Sequence, residues 1–440
     1  MQSRDIKGRK MFSSKAKRWI VVMAVIGATG LGFVVWYGVA SIPAPGTWYR
    51  VLGDRTQNSI WNNDTAIFTY GTSSEGSSLL AKLDAEGNLL WEREGSANSR
   101  GYSVWGDGQW IYTFGEKGNY PFIEKFDAAT GVQQWNWTSP SLGASGKSDR
   151  SIFGANGSIY AIMRSLNLKL FKINVTTGAE QWSREWQGDE PTFVSSVWAG
   201  GMFVCTAGYM YNSSTHTHER VLVKWDADGN QLWNRTWGRN NDDDYQSDDR
   251  IVSVWGDEAG NIYTSSTITI ASLMDSQDDM LLIKWGAGGD PLWNRTWGTS
   301  EQEYSGSLWG NGTAIFQYGF IFPSNLYLGT FITTSILVQW GSEGNQVWNR
   351  TWGSLKYSTY AAGLSIWGRG MLLYTCTPHY VICWNANTGA TQYIIYVDWW
   401  LVMIVFGSII AVTIVVIVGG PAIIKRTKRP RESTENKKKP

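Results

Sequence analysis

The chain repeats itself. Between residues 48 and 393 a unit of roughly 44–60 residues recurs, which is the period range of stacked or radial repeat architectures rather than of a single irregular domain. Its first segment returns around Trp61, Trp105, Phe153, Trp198, Trp255, Trp309 and Trp367. Its third segment and the turn after it return as AKLDAEGN (81–88), EKFDAATG (124–131), FKINVTTG (171–178), VKWDADGN (223–230), IKWGAGGD (283–290), VQWGSEGN (338–345) and ICWNANTG (382–389). The fourth returns at Trp91, Trp135, Trp182, Trp233, Trp293 and Trp348, with a degenerate copy at Tyr393. One unit reads Ile251–Asp257, Asn261–Thr264, Met280–Trp285 and Leu292–Gly298, four short apolar-aromatic runs separated by Gly and Asp/Asn turns, and that pattern predicts four β-strands. A chain with 27 Trp, 20 Tyr, 15 Phe and 49 Gly against 11 Pro supplies the aromatic strands and tight turns such an array needs.

Seven copies of a four-stranded unit predict an all-β fold, a seven-bladed β-propeller of antiparallel blades, over residues 47–396. A ring must hide its edge strands. The run Trp48-Tyr-Arg-Val-Leu-Gly53 matches the fourth-strand sequence but has no unit ahead of it, so it is predicted to form the outer strand of the seventh blade. With that closure, the short turns between strands one and two and between strands three and four share one face with both chain exits. The long, variable connections 209–220, 238–250, 265–279 and 319–335 share the other face.

Two uncharged apolar stretches flank the array, residues 19–40 and 399–424, each long enough to cross a bilayer as a helix. The alternative for the first is a cleaved signal peptide ending at Gly38-Val39-Ala40, although the stretch is longer than a usual signal core. Tails 1–18 and 425–440 carry seven and eight Lys/Arg against one and two acids, so both ends are expected in the cytoplasm and the propeller, after a linker at 41–46, outside the cell membrane. The whole-chain charge of +1 conceals a net acidic middle, and basic tails beside a membrane read as topology and lipid contacts rather than nucleic-acid binding. Sequons at Asn63, Asn136, Asn156, Asn174, Asn212, Asn234, Asn294, Asn311 and Asn349 all fall between the spans and fit an exported glycoprotein. Only three Cys occur, so no disulfide framework is expected; Cys376 and Cys383 flank a hairpin turn, and a bridge between them is admitted but not required.

The motifs EKFDAATGVQQW (124–135) and FKINVTTGAEQW (171–182) resemble the PQQ-like, quinoprotein-type propeller repeat, in which a Thr-Gly turn precedes a Trp that docks on the next blade. The WDADGNQLWNRTWG form (225–238) is similar to repeats of exported prokaryotic propellers. The resemblance implies the fold and a blade-docking role for Trp135, Trp182, Trp233, Trp293 and Trp348, with Trp91 at the same repeat position. Quinoprotein dehydrogenases have eight blades, a calcium ion and often adjacent cysteines; here there are seven units and no adjacent Cys pair, so no cofactor-binding residue is carried over.

The remaining candidates are weak. Asp242, Asp243, Asp244, Asp248 and Asp249 gather carboxylates in one loop, as calcium would want, but their spacing matches no known calcium loop and a solvated acidic loop is the simpler reading. His216 and His218 could share a metal, yet the chain has only three His. Asp226-Ala-Asp-Gly-Asn230 starts like an EF-hand loop but recurs as the hairpin turn, and so reads as structural. No catalytic constellation stands out. The expectation is a non-catalytic surface binding or scaffold module for a protein, glycan or small ligand, without a cofactor. The alternatives are a quinone-dependent oxidoreductase using PQQ and calcium, and a structural envelope component.

Overall fold

The computed structural model describes residues 49–51, 56–140, 150–164, 167–188, 190–214, 217–238, 251–271, 276–322, 333–355, 365–377 and 380–390. The two apolar stretches, the basic tails, Trp48, Tyr393, His216 and the acidic run 242–249 lie outside these residues. Among the described residues no helix is long and apolar enough to cross a membrane.

The described strands form seven four-stranded antiparallel sheets, and each sheet but one is built from four consecutive strands. The exception is the seventh, whose order is Tyr49–Val51, Tyr380–Asn385, Leu372–Cys376, Ser365–Arg369. Tyr49 pairs with Ile382, Arg50 with Val381 and Val51 with Tyr380, so a strand from the start of the chain closes the last blade. The ring closes at its inner edge too, where the Ile60 amide of blade 1 donates to Ser365 Oγ of blade 7 at 3.3 Å.

That last bond belongs to a repeated device. Every inner strand carries a serine two residues before its aromatic: Ser59, Ser103, Ser151, Ser196, Ser253, Ser307 and Ser365. All seven are buried. Ser59, Ser196 and Ser253 each accept, at 3.1 Å, the backbone N–H of the residue between serine and aromatic on the following blade (Val104, Val254, Leu308). A β-bulge just ahead of the serine, as between Gln57 and Ser59 or Ile251 and Ser253, turns the strand so that this hydroxyl points sideways at its neighbour. With Ser103, which accepts from the Ile152 amide at 3.4 Å, five of the seven seams between neighbouring inner strands carry a hydrogen bond that the sheets themselves do not supply.

The aromatics two residues on converge at the axis. Ring centroids lie 6.1 Å apart for Phe153–Trp198, 6.4 Å for Trp198–Trp255, 6.3 Å for Trp255–Trp309 and 6.5 Å for Trp61–Trp367. Phe153 also meets Trp255 and Trp367 across the axis at 6.0 and 5.9 Å. In five blades glycine follows the aromatic, and the preceding blade's indole lies over it: a Cβ on Gly256 would stand 2.5 Å from Trp198, and one on Gly310 2.7 Å from Trp255; blades 1 and 4 carry Asn62 and Ala199 there.

Two expectations are corrected. The connections 209–220 and 265–279 are mostly strand: Phe203–Asn212 pairs with Thr217–Asp226, and Ile262–Ala271 with Ser276–Trp285, the ladders running out to Asn212↔Thr217 and Ala271↔Ser276. Runs rich in Thr, Ser and Ile keep pairing past the body of the blade, so these blades raise hairpins rather than irregular loops. The bridge admitted between Cys376 and Cys383 is not formed. Cys376 stands opposite Val381 and Cys383 opposite Tyr374, a diagonal relation of roughly 7–8 Å where a disulfide needs about 4.4–6.8 Å between Cα atoms. Both cysteines are buried in the apolar contact between blades 7 and 1.

Candidate functional site

Blades 1 to 6 each grip the three-four turn of the next. On blade 4, Trp233 Nε1 and Lys224 Nζ both donate to the Ala287 carbonyl at 3.0 Å, and Arg235 reaches the Gly288 and Gly289 carbonyls at 2.9 Å while its guanidinium lies 5.3 Å over the Trp233 ring. Gly289 has φ +85°, and a Cβ there would press on the Trp233 ring at 3.0 Å, so both the turn and the grip demand glycine. Blade 1 repeats the arrangement with Lys82, Trp91 and Arg93 on Ala128–Gly131. Arg184, Arg295 and Arg350 lie over Trp182, Trp293 and Trp348 in the same way, although the indole N–H of those three tryptophans is buried without an acceptor in hydrogen-bond reach. In blade 2, Trp137 replaces the arginine and meets Phe171 edge-on at 5.2 Å, while Trp135 and Lys125 share the Val175 carbonyl. The sequence reading took the tryptophans and left out the Lys and the Arg two residues on, although both recur in register with Trp and were there to be read.

The axis carries a second unread group. Arg150, buried at the start of blade 3, donates from Nε to Ser307 Oγ at 3.1 Å and from Nη2 to the Ile366 carbonyl at 2.8 Å, and its guanidinium lies 5.2 Å from the Trp255 ring and 5.5 Å from Trp367. Arg150 thus ties blade 3 to blades 6 and 7 across the channel. Nothing in the repeat announces it, since no other blade has an arginine there. At this level the axis is occupied by the aromatic layer and Arg150.

A third feature breaks the repeat. In blades 3 to 6 the fourth strand ends in a second tryptophan (Trp186, Trp237, Trp297, Trp352) that fills the wedge toward the next blade; Trp237 meets Trp285 at 4.5 Å and Trp352 meets Tyr380 at 5.2 Å. Blade 1 has Gly95 at that position and blade 2 has the buried Ser139. Opposite, on the third strand of blade 2, stands Glu124, where the other six blades have Ala81, Phe171, Val223, Ile283, Val338 and Ile382. The result is a cleft between blades 1 and 2, a hollow of about 580 Å³ continuous with one of about 330 Å³, the two sharing Ser96, Glu124 and Asn136. Its lining includes Ser96 from the connection between the blades and Gly118 from the two-three turn of blade 2, so it opens on the face of the long hairpins. Tyr120 and Phe122 supply rings, Lys117, Asn136 and Thr138 polar groups.

Glu124 is half-buried, its Oε1 accepts from Gln133 Nε2 at 3.3 Å, and burial pushes its carboxyl above the usual carboxylate range. The folded chain therefore holds this proton more tightly than the unfolded chain, and stability falls as pH rises from the ordinary Glu range, about 4.3, through the raised value. Replacing Glu124 with Ile, the residue blades 5 and 7 use there, is expected to raise stability by about 1 kcal/mol at neutral pH and to flatten the dependence above the ordinary Glu range of about 4.3. Asp279 and Glu303, also raised by burial, keep their own share of the slope. Denaturant melts of both proteins across that range measure it; parallel slopes would place the Glu124 proton elsewhere.

The other sequence candidates are scattered. His218 packs its ring against Tyr209 and Tyr211 at 5.3 and 5.5 Å. Among the described residues no group of three or more His, Cys, Asp or Glu is placed to hold a metal ion. Asp226 accepts from the Asp228 and Asn230 amides, which hold its carboxyl below the usual range and shape the hairpin turn. Of the sequons, Asn63, Asn174 and Asn311 cap turns through Oδ1, while Asn156 and Asn212 donate from Nδ2 to the Gly201 carbonyl and to Glu219, bonds a glycan there would displace. Asn136 and Asn294 are exposed on outer strands, and Asn234 and Asn349 are half-buried at the same repeat position.

No family model and no curated protein matches this chain. Among solved structures it is similar to Drosophila Semaphorin 2a, with a TM-score of 0.49 and 8% identity over 79% of this chain and 76% of that one. It is also similar to Sqt1 of Saccharomyces cerevisiae, with a TM-score of 0.47 and 9% identity over 78% of this chain and 99% of that one. At these identities neither likeness bears on what the protein binds.

Proposed function

We propose that this protein is a non-catalytic binding or scaffold module, anchored in the cell membrane by residues 19–40 and 399–424 with both tails cytoplasmic, whose propeller holds a protein, glycan or small ligand outside the cell. The observation that carries the reading is the position of the blade 1–2 cleft. There the repeat is broken in two facing residues at once, Gly95 and Glu124, and the cleft opens on the same face as the raised hairpins of blades 4 and 5. Where blades 3 to 6 fill the wedge with tryptophan, the pair Gly95 and Glu124 leaves a hollow that stability alone does not call for. The strand Tyr49–Val51 begins, and the turn after Tyr380–Asn385 ends, on the opposite, short-turn face, which suits a ring presented with its hairpins away from the bilayer. Against the oxidoreductase reading stands the filled axis: a quinone seated there would have to displace Arg150 and the aromatic layer.

The test uses the full chain in its own membranes. Trimming the hairpin tips at 213–216 and 272–275 to two-residue turns should remove cross-linked partners while leaving the melting temperature unchanged. The purified protein should be colourless and without dye-linked dehydrogenase activity after addition of PQQ and calcium. A stoichiometric chromophore with such activity sinks the proposal, as does partner capture indifferent to both hairpins and the cleft.

A further inference from the structure

We infer that the blade 1–2 cleft is a carbohydrate site, taking a neutral saccharide of about one or two rings in the wedge that a tryptophan fills in blades 3 to 6. The inference rests on the binding-module reading and sharpens it.

Three properties of the lining select the ligand class. The first is charge balance. Lys117 and Arg93 stand against Glu94 and Glu124, and two of these are already committed: Arg93 to the Thr130 and Gly131 carbonyls, Glu94 to the Ser73 hydroxyl at 2.9 Å. The lining therefore carries no surplus of either sign, and a strongly charged ligand would leave a lining charge of its own sign desolvated and unmatched.

The second is the mixture of donors and acceptors. A carboxylate (Glu124), an amide (Asn136), hydroxyls (Ser96, Thr138) and an ammonium (Lys117) converge on one hollow. Sugar hydroxyls are donor and acceptor together, and a site offering both kinds satisfies them where an apolar or purely anionic ligand would strand half of these groups.

The third is the platform. Tyr120 is 41% exposed at the mouth and Phe122 lies against the strand beneath it, so aromatic surface borders the polar groups. An amphipathic ring ligand matches that pairing, setting its apolar C–H face on the aromatics and its hydroxyls on the polar side.

The repeat itself provides the control. Gly95→Trp installs the residue that blade 6 carries as Trp352, opposite a serine (Ser335) just as Gly95 is opposite Ser78, although the Ser78 hydroxyl, bonded to Ser99, must turn aside for the new Cβ. The experiment titrates the full-length protein with glucose, galactose, mannose, N-acetylglucosamine, maltose and lactose, using saturation-transfer NMR for contact and calorimetry for affinity. The expected result is saturable binding of at least one of these sugars, weakened at least about tenfold by Gly95→Trp and by Tyr120→Ala. Tyr120→Ala changes an exposed ring and should leave the melting temperature alone, which keeps the test decisive if Gly95→Trp misfolds. Absence of binding by every sugar, or binding that ignores both variants, overturns the inference. So does preferential binding of tetramethylammonium or inorganic phosphate, included as charged probes. Sugar binding can fail while hairpin-dependent partner capture survives, and that pair of results removes this inference and leaves the binding-module reading standing.

Discussion

Deleting residues 47–53 should lower the melting temperature by at least about 5 °C and drive the protein to aggregate at micromolar concentration. The deleted segment contains the strand Tyr49–Val51, which pairs with Ile382, Val381 and Tyr380. Without it Tyr380–Asn385 becomes a bare edge on a three-stranded blade, and an unpaired edge rich in Tyr, Val, Ile and Trp is a template for intermolecular pairing. The loss of a strand ladder and its packing, on the order of 3–5 kcal/mol, is spread over a large cooperative ring, which is why the shift in midpoint is modest while the aggregation is not. Scanning calorimetry with light scattering separates the two effects. A deletion mutant that melts at the same temperature and stays monomeric would mean that the closing strand contributes nothing to the ring.

Arg150→Ala should cost about 3 kcal/mol, roughly 4 °C in midpoint for a chain of this size, from one residue that is part of no sheet interior. The charged hydrogen bonds to Ser307 Oγ and the Ile366 carbonyl and the stacking on Trp255 and Trp367 all vanish together, and a void opens on the axis. Arg150→Lys should recover little, because an ammonium offers neither the planar fork nor the stacking face that lets one side chain engage blades 6 and 7 at once. Near-ultraviolet circular dichroism should change in step with stability, since the indoles of Trp255 and Trp367 lie against the guanidinium. An Arg150→Ala protein with wild-type midpoint and spectrum would reduce the spoke to a bystander.

How much of this was written in the chain depends on whether the information repeats. The blade count, the four-strand unit, the three-four turns and the unattached strand at Trp48–Gly53 were legible because a seven-fold recurrence separates structural demand from accident: Gly289 is recognisable as a turn glycine since Gly131, Gly178 and Gly229 stand at its place. The partners of the grip were equally legible. Lys recurs beside five of the six docking tryptophans, blade 6 having Gln339 instead, and Arg two residues after five of them, blade 2 having Trp137.

Other features needed coordinates. Connections 209–220 and 265–279 varied in length like loops, but cross-strand pairing of their Thr- and Ile-rich arms carries the hairpins outward, and pairing is a property of two segments at once rather than of either alone. The register that sets Cys376 diagonal to Cys383 is fixed by the turn between them, which spacing did not resolve. Arg150 is one arginine among many until the ring brings Ser307 and Ile366, 157 and 216 residues away, to its guanidinium. The cleft is the mixed case. Gly95 and Glu124 each depart from the repeat and were visible as departures, yet they lie on different blades, and only the wedge between those blades makes them face one hollow. Local pattern determined the blade because strand, turn and docking residues act within one repeat or on the next; the tertiary ring decided the site because a cavity is the absence of contact between residues the sequence never places together.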